Sequence, residues 1–124
     1  MPAKLARLKR RADFLRVAGQ RRRAVRDGLI LQAAPSPDEI AEDGVARIGF
    51  TASRRVGNAV VRNRAKRRLR AAAAEILTRL GRPRMDYVLI ARAGTGARRY
   101  ADLLGDLTTA VRQVERRRVE ERQG

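Results

Sequence analysis

The nine residues from Arg62 to Arg70, RNRAKRRLR, concentrate six basic side chains in the middle of the chain. Glu75 is the only carboxylate between Gly44 and Gly81, so these cations have almost no local partner. On a helix, like charges four residues apart each cost about 0.2–0.5 kcal/mol. A guanidinium donates two parallel hydrogen bonds to a phosphate, which would offset that cost. The stretch therefore predicts a phosphate-binding surface, with an ordinary solvated helix face as the alternative.

The sequence on either side of this stretch predicts one long helix. Asn58 follows Gly57 and is a preferred N-cap residue, while Gly81 and Pro83 are typical of a helix end. Between these signals, apolar residues recur at helical spacing. The predicted apolar stripe contains Val61, Ala65, Leu69, Ala72, Ala73, Ile76 and Leu80. Packing of this stripe would hold the helix in a rigid position.

The basic residues would lie on the exposed sides of that helix. Residues four apart lie above one another, so the cations form rows beside the apolar stripe. The turn before the helix adds two arginines near free backbone amides, where the helix dipole favours anions. Asn63 could read base edges or sugars, or be an ordinary exposed residue. The candidate phosphate-binding residues are Arg54, Arg55, Asn58, Arg62, Asn63, Arg64, Lys66, Arg67 and Arg70.

The composition favours some partners and excludes several kinds of site. The chain has 30 Lys and Arg residues against 13 Asp and Glu, a net charge of +17, which favours a polyanionic partner. Arginine outnumbers lysine, which favours nucleic acid over a lipid surface or an acidic protein. Cysteine and histidine are absent, so disulfides, thiolate zinc sites and the usual general base are excluded.

No part of the sequence predicts insertion into a membrane. No apolar run approaches the roughly 18 residues of a membrane span. The basic segment MPAKLARLKRRADF contains no apolar signal core. We therefore expect a cytoplasmic protein with no membrane partner.

The acidic residues form no recognisable catalytic or metal-binding constellation. Four of them fall in a Pro- and Gly-containing stretch, 35–44, that predicts a loop: Asp38, Glu39, Glu42 and Asp43. Asp102 and Asp106 share a helix face, where capping and the helix dipole explain them at least as well. Phe14 and Phe50 could stack on unpaired bases, although core packing is the commoner fate of a lone Phe. We expect no catalytic residue and no metal site in this chain.

Hydrophobic periodicity predicts a single α+β domain spanning 1–124. A first helix is predicted from the spacing of Leu5, Leu8, Ala12 and Leu15. Strands are predicted at 28–34, 45–53 and 85–94. The first two strands are expected to pair as an antiparallel hairpin. The last helix is expected from 100 to about 114, and the ends at 1–4 and 115–124 are expected to fray.

The segment RIGFTASRRVGNAVVRNRAKRRLR, residues 47–70, resembles the protein subunit of bacterial ribonuclease P. A glycine-containing strand, a serine before two basic residues, G-N-A-V and then R-N-R-x-K-R-x-L-R form a specific combination. Looser similarity extends to LKRRADFLRVAGQ, DYVLIARAG and RRYADLLGDL. The resemblance covers nearly the whole chain and is weakest at its ends and at 35–44.

The resemblance implies a two-layer α-β sandwich in the order αβββαβα, with a left-handed crossover through the long central helix. It also implies a strand near 22–25, which the periodicity leaves ambiguous. The family binds a large catalytic RNA, and this RNA removes the 5′ leader of precursor tRNA. The implied partners are that RNA and precursor tRNA, with no obligate protein partner. The implied cofactor is Mg²⁺, held mainly by the RNA.

The resemblance also assigns individual residues by their positions. The positions that match the family's RNA-contacting motif are Arg62, Asn63, Arg64, Lys66, Arg67 and Arg70. The positions that match its cleft for the single-stranded leader are Phe14, Thr51 and Ser53. Family members often carry aromatic residues at the positions of Ala18 and Gln32, so stacking is expected to depend mainly on Phe14. Ala65 stands where a larger aliphatic residue is usual, a difference that affects local packing rather than function.

Three other classes of function stay open at the level of sequence. A ribosomal or general RNA-binding structural protein would carry a similar charge without stimulating precursor cleavage. A DNA architectural protein would bind duplex DNA at least as well as RNA. A metal nuclease acting alone would cleave RNA without an RNA partner.

Overall fold

Eight main helices and strands, joined by short connections, form within residues 3–123. The structure, a computed structural model, describes residues 3–123, with side chains described through residue 120. A short 3-10 helix at Arg54–Val56 precedes the long helix. In chain order, the elements are β1 (Lys4–Arg7), α1 (Arg11–Gly19), β2 (Arg23–Val25), β3 (Leu29–Pro35), β4 (Val45–Thr51), α2 (Ala59–Leu80), β5 (Met85–Ala91) and α3 (Tyr100–Gln123).

The five strands form one sheet in the order β1-β4-β5-β3-β2. β5 lies between β3 and β4, pairing antiparallel with β3 and parallel with β4. The predicted hairpin of β3 with β4 is therefore wrong. Six of the seven residues of β5 are buried, and such an apolar strand takes a central place with a neighbour on each edge. The strand implied near 22–25 is confirmed as β2, which pairs antiparallel with β3.

The N-terminal segment forms a strand where the sequence predicted the start of a helix. Residues Lys4–Arg7 pair in parallel with β4, and the Leu8 amide donates to the Ile48 carbonyl at 3.0 Å. Residues an odd number apart on an extended chain point to opposite faces. Leu5 accordingly packs against the large core and Leu8 belongs to a smaller cluster on the other face. Pairing with the free edge of β4 explains why the helix starts only at Arg11.

Helices cover the two faces of the sheet unequally. Tyr87 and Leu89 of β5 belong to the large core formed with α2 and α3, while Val88 packs in the smaller cluster with Val17 of α1. The predicted apolar stripe of α2 is buried at Ala65, Leu69, Ala72, Ala73 and Ile76. The α-β sandwich is confirmed, with α2 as the crossover between the parallel strands β4 and β5. The left-handed sense of that crossover stays a prediction.

Secondary structure extends into both ends of the chain that were predicted to fray. Lys4 lies in β1 and α3 extends to Gln123. Residues 1, 2 and 124 lie outside the described part of the chain. Fraying of 1–4 and 115–124 stays a prediction, as does the assignment of 1–124 to one domain.

A buried carboxylate ties α1 to the sheet. Asp86 on β5 is fully buried and accepts hydrogen bonds from Arg47 on β4 at 2.6 and 2.8 Å, from Ser36 at 2.7 Å, and from Arg16 on α1. Asp13 lies 3.4 Å from both arginines. Burial raises the pKa of Asp86, but hydrogen bonds from Arg47, Ser36 and Arg16 outweigh burial and hold its pKa below the ordinary value of 3.8. The charged carboxylate therefore stabilises the fold.

We predict that Asp86→Asn lowers the free energy of unfolding by about 3–5 kcal/mol at pH 7, because two guanidinium groups lose their buried partner. A depressed folded-state pKa gives stability that is present above pH 3.8 and lost as pH falls through the folded pKa. The deficit should therefore shrink near pH 3. Urea unfolding at both pH values measures it.

The matched control for this prediction is Asp43→Asn. The Asp43 side chain is 96% exposed and pairs with Arg84 at 3.1 Å, so its loss should cost less than about 1 kcal/mol. Equal destabilisation by Asp86→Asn and Asp43→Asn would contradict a structural role for the buried cluster.

Candidate nucleic-acid interface

The start of α2 is fixed by local hydrogen bonding. The Asn58 side chain accepts a hydrogen bond from the Val61 amide at 3.0 Å, which confirms the predicted N-cap. Gly57 adopts φ +152°, a backbone conformation that L side chains rarely adopt. The preceding 3-10 helix carries Arg54 and Arg55, both exposed. Because the side-chain amide oxygen of Asn58 caps the helix, this side chain has a structural role in addition to any contact with a ligand.

The basic residues of α2 lie in rows beside its buried stripe, as the sequence predicted. Arg62 and Lys66 are half-buried at the border of the stripe, and Arg70 is exposed. The Arg70 guanidinium carbon lies 5.9 Å from the centre of the Phe50 ring, which is a cation-π contact. Asn63 and Arg67 point away from the stripe and are exposed. The rows therefore present cations over a broad sector of a rigid helix.

The cations of this surface have no carboxylate partners within the described residues. None of the salt bridges there includes Arg54, Arg55 or a basic residue of the stretch 62–70. Glu75, the one acid of α2, accepts a hydrogen bond from the Tyr100 hydroxyl. Desolvation and the bonded Glu75 carboxylate raise the pKa of Tyr100 to about 12. The single carboxylate of α2 is thus hydrogen-bonded to Tyr100, and the cations remain available to an external anion.

Arg68 differs from its basic neighbours in α2. Its guanidinium donates to the backbone carbonyl of Thr95 at 2.5 Å and to that of Arg98. These bonds tie α2 to the loop before α3. Arg68 was not among the candidate phosphate-binding residues, but nothing in the sequence indicated that it would bond to the loop before α3.

The predicted leader-cleft residues lie on the face of the sheet that α1 covers, opposite α2, and just past the end of β4. The Phe14 side chain of α1 is half-buried against Gly49 of β4. Thr51 is two residues further along β4 and shares the face of Gly49. Ser53 follows the end of β4 and is exposed. Phe14 and Thr51 therefore border one surface, and Ser53 leads from it to the start of α2.

Gly49 was not identified from the sequence as part of this surface. A Cβ atom at this position would lie 2.5 Å from both Cε1 and Cζ of Phe14, so only glycine lets the ring approach the strand here. An isolated glycine inside a strand pattern often marks such a close approach. This signal was present in RIGFTAS but did not indicate which side chain would approach.

The acidic residues do not assemble into a metal site in the part of the chain that is described. Across residues 3–123, no group of three or more Asp or Glu residues is placed to hold a metal ion. Asp38 and Asp43 lie near Arg84 at 3.9 and 3.1 Å. No helix among these residues has both the length and the apolar composition needed to cross a bilayer.

Comparison with known proteins identifies relatives over most of the chain. A family model described as Ribonuclease P matches residues 1–115. The ribonuclease P protein component of Paramagnetospirillum magneticum is 50% identical over 114 residues, covering 92% of this chain and 86% of the relative. That of Ruegeria pomeroyi is 47% identical over 108 residues, covering 86% of this chain and 84% of the relative.

Solved structures share the fold. The RNase P protein of Staphylococcus aureus matches with a TM-score of 0.69 at 24% identity, over 88% of this chain and 94% of the other. The RNase P protein of Thermotoga maritima matches with a TM-score of 0.68 at 20% identity, over 83% and 92% of the two chains. Together with the family match and the 50% identical relative, these findings establish that the chain belongs to the ribonuclease P protein family.

Proposed function

We propose that the chain is the RNA-binding protein subunit of ribonuclease P and assists a catalytic RNA in removing the 5′ leader of precursor tRNA. The observation that carries the proposal is the unpaired cationic surface on the rigid helix α2. Membership of the ribonuclease P family supports the same function. The alternative of a ribosomal or general RNA-binding structural protein is not favoured by the family match.

The proposed mechanism is positional. Fixed guanidinium groups on α2 bind phosphates of the catalytic RNA and reduce repulsion between it and the precursor. The leader lies extended across the surface between α1 and the sheet, with Phe14 offering a stacking face and Thr51 and Ser53 offering hydroxyls. The protein thereby raises the affinity for the precursor without touching the scissile bond.

The proposed metal ion is Mg²⁺, held mainly by the RNA. The chain's own residues fit this arrangement, because across residues 3–123 the carboxylates are either scattered or engaged with arginines. The partners we propose are the catalytic RNA and precursor tRNA, without a membrane or an obligate protein partner. We propose the cytoplasm as the location.

The experiment that tests this function measures cleavage of a 5′-extended precursor tRNA at low Mg²⁺. Three reactions are compared: the catalytic RNA alone, this protein alone, and both together. We expect efficient cleavage only when both are present, because the cations supply screening that Mg²⁺ otherwise provides. Cleavage by the protein alone would indicate a metal nuclease. Tight RNA binding without stimulation would favour a ribosomal or general RNA-binding role.

The α2 surface is tested by Arg62→Ala combined with Arg67→Ala. We expect weaker assembly with the catalytic RNA, because two phosphate contacts are lost. Each lost contact should flatten the slope of log affinity against log salt by about 0.7, the value for a single strand, to about 0.9, the value for a B-form duplex. A filter-binding titration across salt concentrations measures both quantities.

The control for the α2 surface is Arg62→Lys combined with Arg67→Lys, which keeps both charges. This variant should retain most of the salt slope. If the alanine pair left assembly, activity and salt slope unchanged, the assignment of these residues to RNA binding would be wrong.

The leader cleft is tested by Gly49→Ala, which displaces the Phe14 ring without removing it. We expect the affinity for precursor tRNA to fall more than the affinity for mature tRNA, because only the precursor carries a leader. The fall should approach that in Phe14→Ala, since stacking on an aromatic ring contributes about 1–3 kcal/mol per base. Gly105→Ala is the control, because a Cβ there meets nothing within 4 Å. An unchanged preference for leader-bearing RNA in both cleft variants would exclude Phe14 from leader binding.

A further inference from the structure

A second basic surface lies at the other end of α2, where that helix meets α3. The two helices border a groove of about 520 Å³. Its lining residues are Arg79, Leu80, Arg82, Val111, Arg112, Glu115 and Arg116. Leu80 packs at the edge of the large core and Val111 belongs to it, so the floor is apolar and the rim carries arginines. We refer to this feature as the α2–α3 groove.

The charges of the α2–α3 groove are unbalanced. Glu115, the only carboxylate among the described residues that line it, accepts hydrogen bonds from both Arg82 and Arg118. Burial raises the pKa of Glu115, but hydrogen bonds and the charges of these two arginines outweigh it, so its pKa lies below the ordinary value. Its negative charge is therefore already shared between two cations.

The remaining rim arginines have no acidic partner within the described residues. No ion pair there includes Arg79, Arg112 or Arg116, and all three are exposed. Arg112 and Arg116 are four residues apart, so they lie one turn from each other on the same side of α3. The groove thus repeats the feature that marks the first half of α2, which is guanidinium groups on packed helices with no acidic partner among the described residues.

The groove is spatially separate from the candidate interface described above. Arg62 and Arg79 are 17 residues apart on α2, which corresponds to about 25 Å along its axis. The groove also involves α3, whereas the first surface adjoins the 3-10 helix and β4. One short RNA segment on the first half of α2 would not reach the groove.

We propose that the α2–α3 groove binds the phosphate backbone of a second segment of the catalytic RNA, separate from the segment bound by the first half of α2. This proposal rests on the proposed function. Charge complementarity selects the occupant, because exposed arginines in a fixed row match the repeating charge of an RNA strand. The apolar floor gives sugars or an unpaired base a surface to pack on. The protein then joins two parts of the RNA.

The first test is Arg112→Ala combined with Arg116→Ala, titrated against the full catalytic RNA. We expect lower affinity and a salt slope flatter by about 1.4–1.8, the value for two lost phosphate contacts. Alanine favours helix, so α3 should persist, and circular dichroism checks this.

The first control is Arg112→Lys with Arg116→Lys, which keeps both charges and should keep the salt slope. Lys4→Ala with Arg99→Ala removes the same charge from exposed positions elsewhere and should have a smaller effect.

The second test locates the RNA at each surface. The chain has no cysteine, so a single introduced cysteine can carry iron-EDTA at one defined position. Val119→Cys places it on α3 one turn beyond Arg116, and Ala71→Cys places it one turn beyond Arg67 on α2. We expect hydroxyl-radical cleavage of two different RNA segments from the two positions.

The outcomes separate this proposal from the proposed function. Unchanged affinity and slope in the groove variant, with losses in the Arg62 and Arg67 variant, would overturn the groove proposal alone. Cleavage of one common RNA segment from both tethers would also overturn it. No effect of either pair of substitutions would overturn the groove proposal and the assignment of Arg62 and Arg67 to RNA binding. The proposed function itself fails only if the protein does not stimulate cleavage of precursor tRNA by the catalytic RNA.

Discussion

Thirty basic and thirteen acidic side chains share this small fold, so self-repulsion opposes compaction wherever a cation lacks a partner. The buried carboxylates are placed where each one connects several elements. Asp86 connects α1 and β4 to β5 through Arg16 and Arg47. Asp106 accepts bonds from Arg98 at 2.7 Å and from the Gly28 amide at 2.9 Å, which ties α3 to the start of β3. Two of the thirteen acids thus act inside the structure as ties between elements.

No acid among the described residues, buried or exposed, forms an ion pair with the outward cations of α2. The helix keeps its position because alanine and leucine side chains fill its contact with the sheet, with Ala65, Leu69 and Ala72 fully buried. A flexible basic tail would lose conformational entropy on binding, whereas these side chains start from a fixed backbone. The same chain therefore combines an unbalanced surface with a rigid frame: the surface lacks acidic partners, and apolar packing holds the helix that carries it.

Local signals made α2 predictable and left the sheet order undetermined. The N-cap at Asn58, the apolar stripe and Gly81 all act within a few residues, so the sequence indicates them directly. The pairing of β5 between β3 and β4 depends on competition among strands that are distant in sequence, and alternation alone does not decide it. Leu5 and Leu8 fit a helix by spacing, yet the free edge of β4 pairs their segment as a strand.

The candidate site shows the same division between local and distant information. The basic rows of α2 were predictable because helix geometry fixes them. The bonds from Arg68 to Thr95 and Arg98 depend on a loop nearly thirty residues away. The approach of Phe14 to Gly49 likewise joins α1 to a distant strand, and the apolar spacing within α1 does not indicate which strand that is. The α2–α3 groove needed both helices in place before its arginines could be seen as one surface.

Fixed cations and Mg²⁺ act on the same electrostatic problem. Two RNA strands approach each other only if their phosphate charges are compensated. Diffuse counterions do this only when their concentration in solution is high enough. A guanidinium on a packed helix provides a permanent local charge and orients the phosphate through parallel hydrogen bonds. On the proposed function, the protein's effect should therefore be greatest where Mg²⁺ is scarce. Its contribution is then electrostatic and geometric, which explains how a chain without histidine or cysteine can serve an RNA-cleaving enzyme.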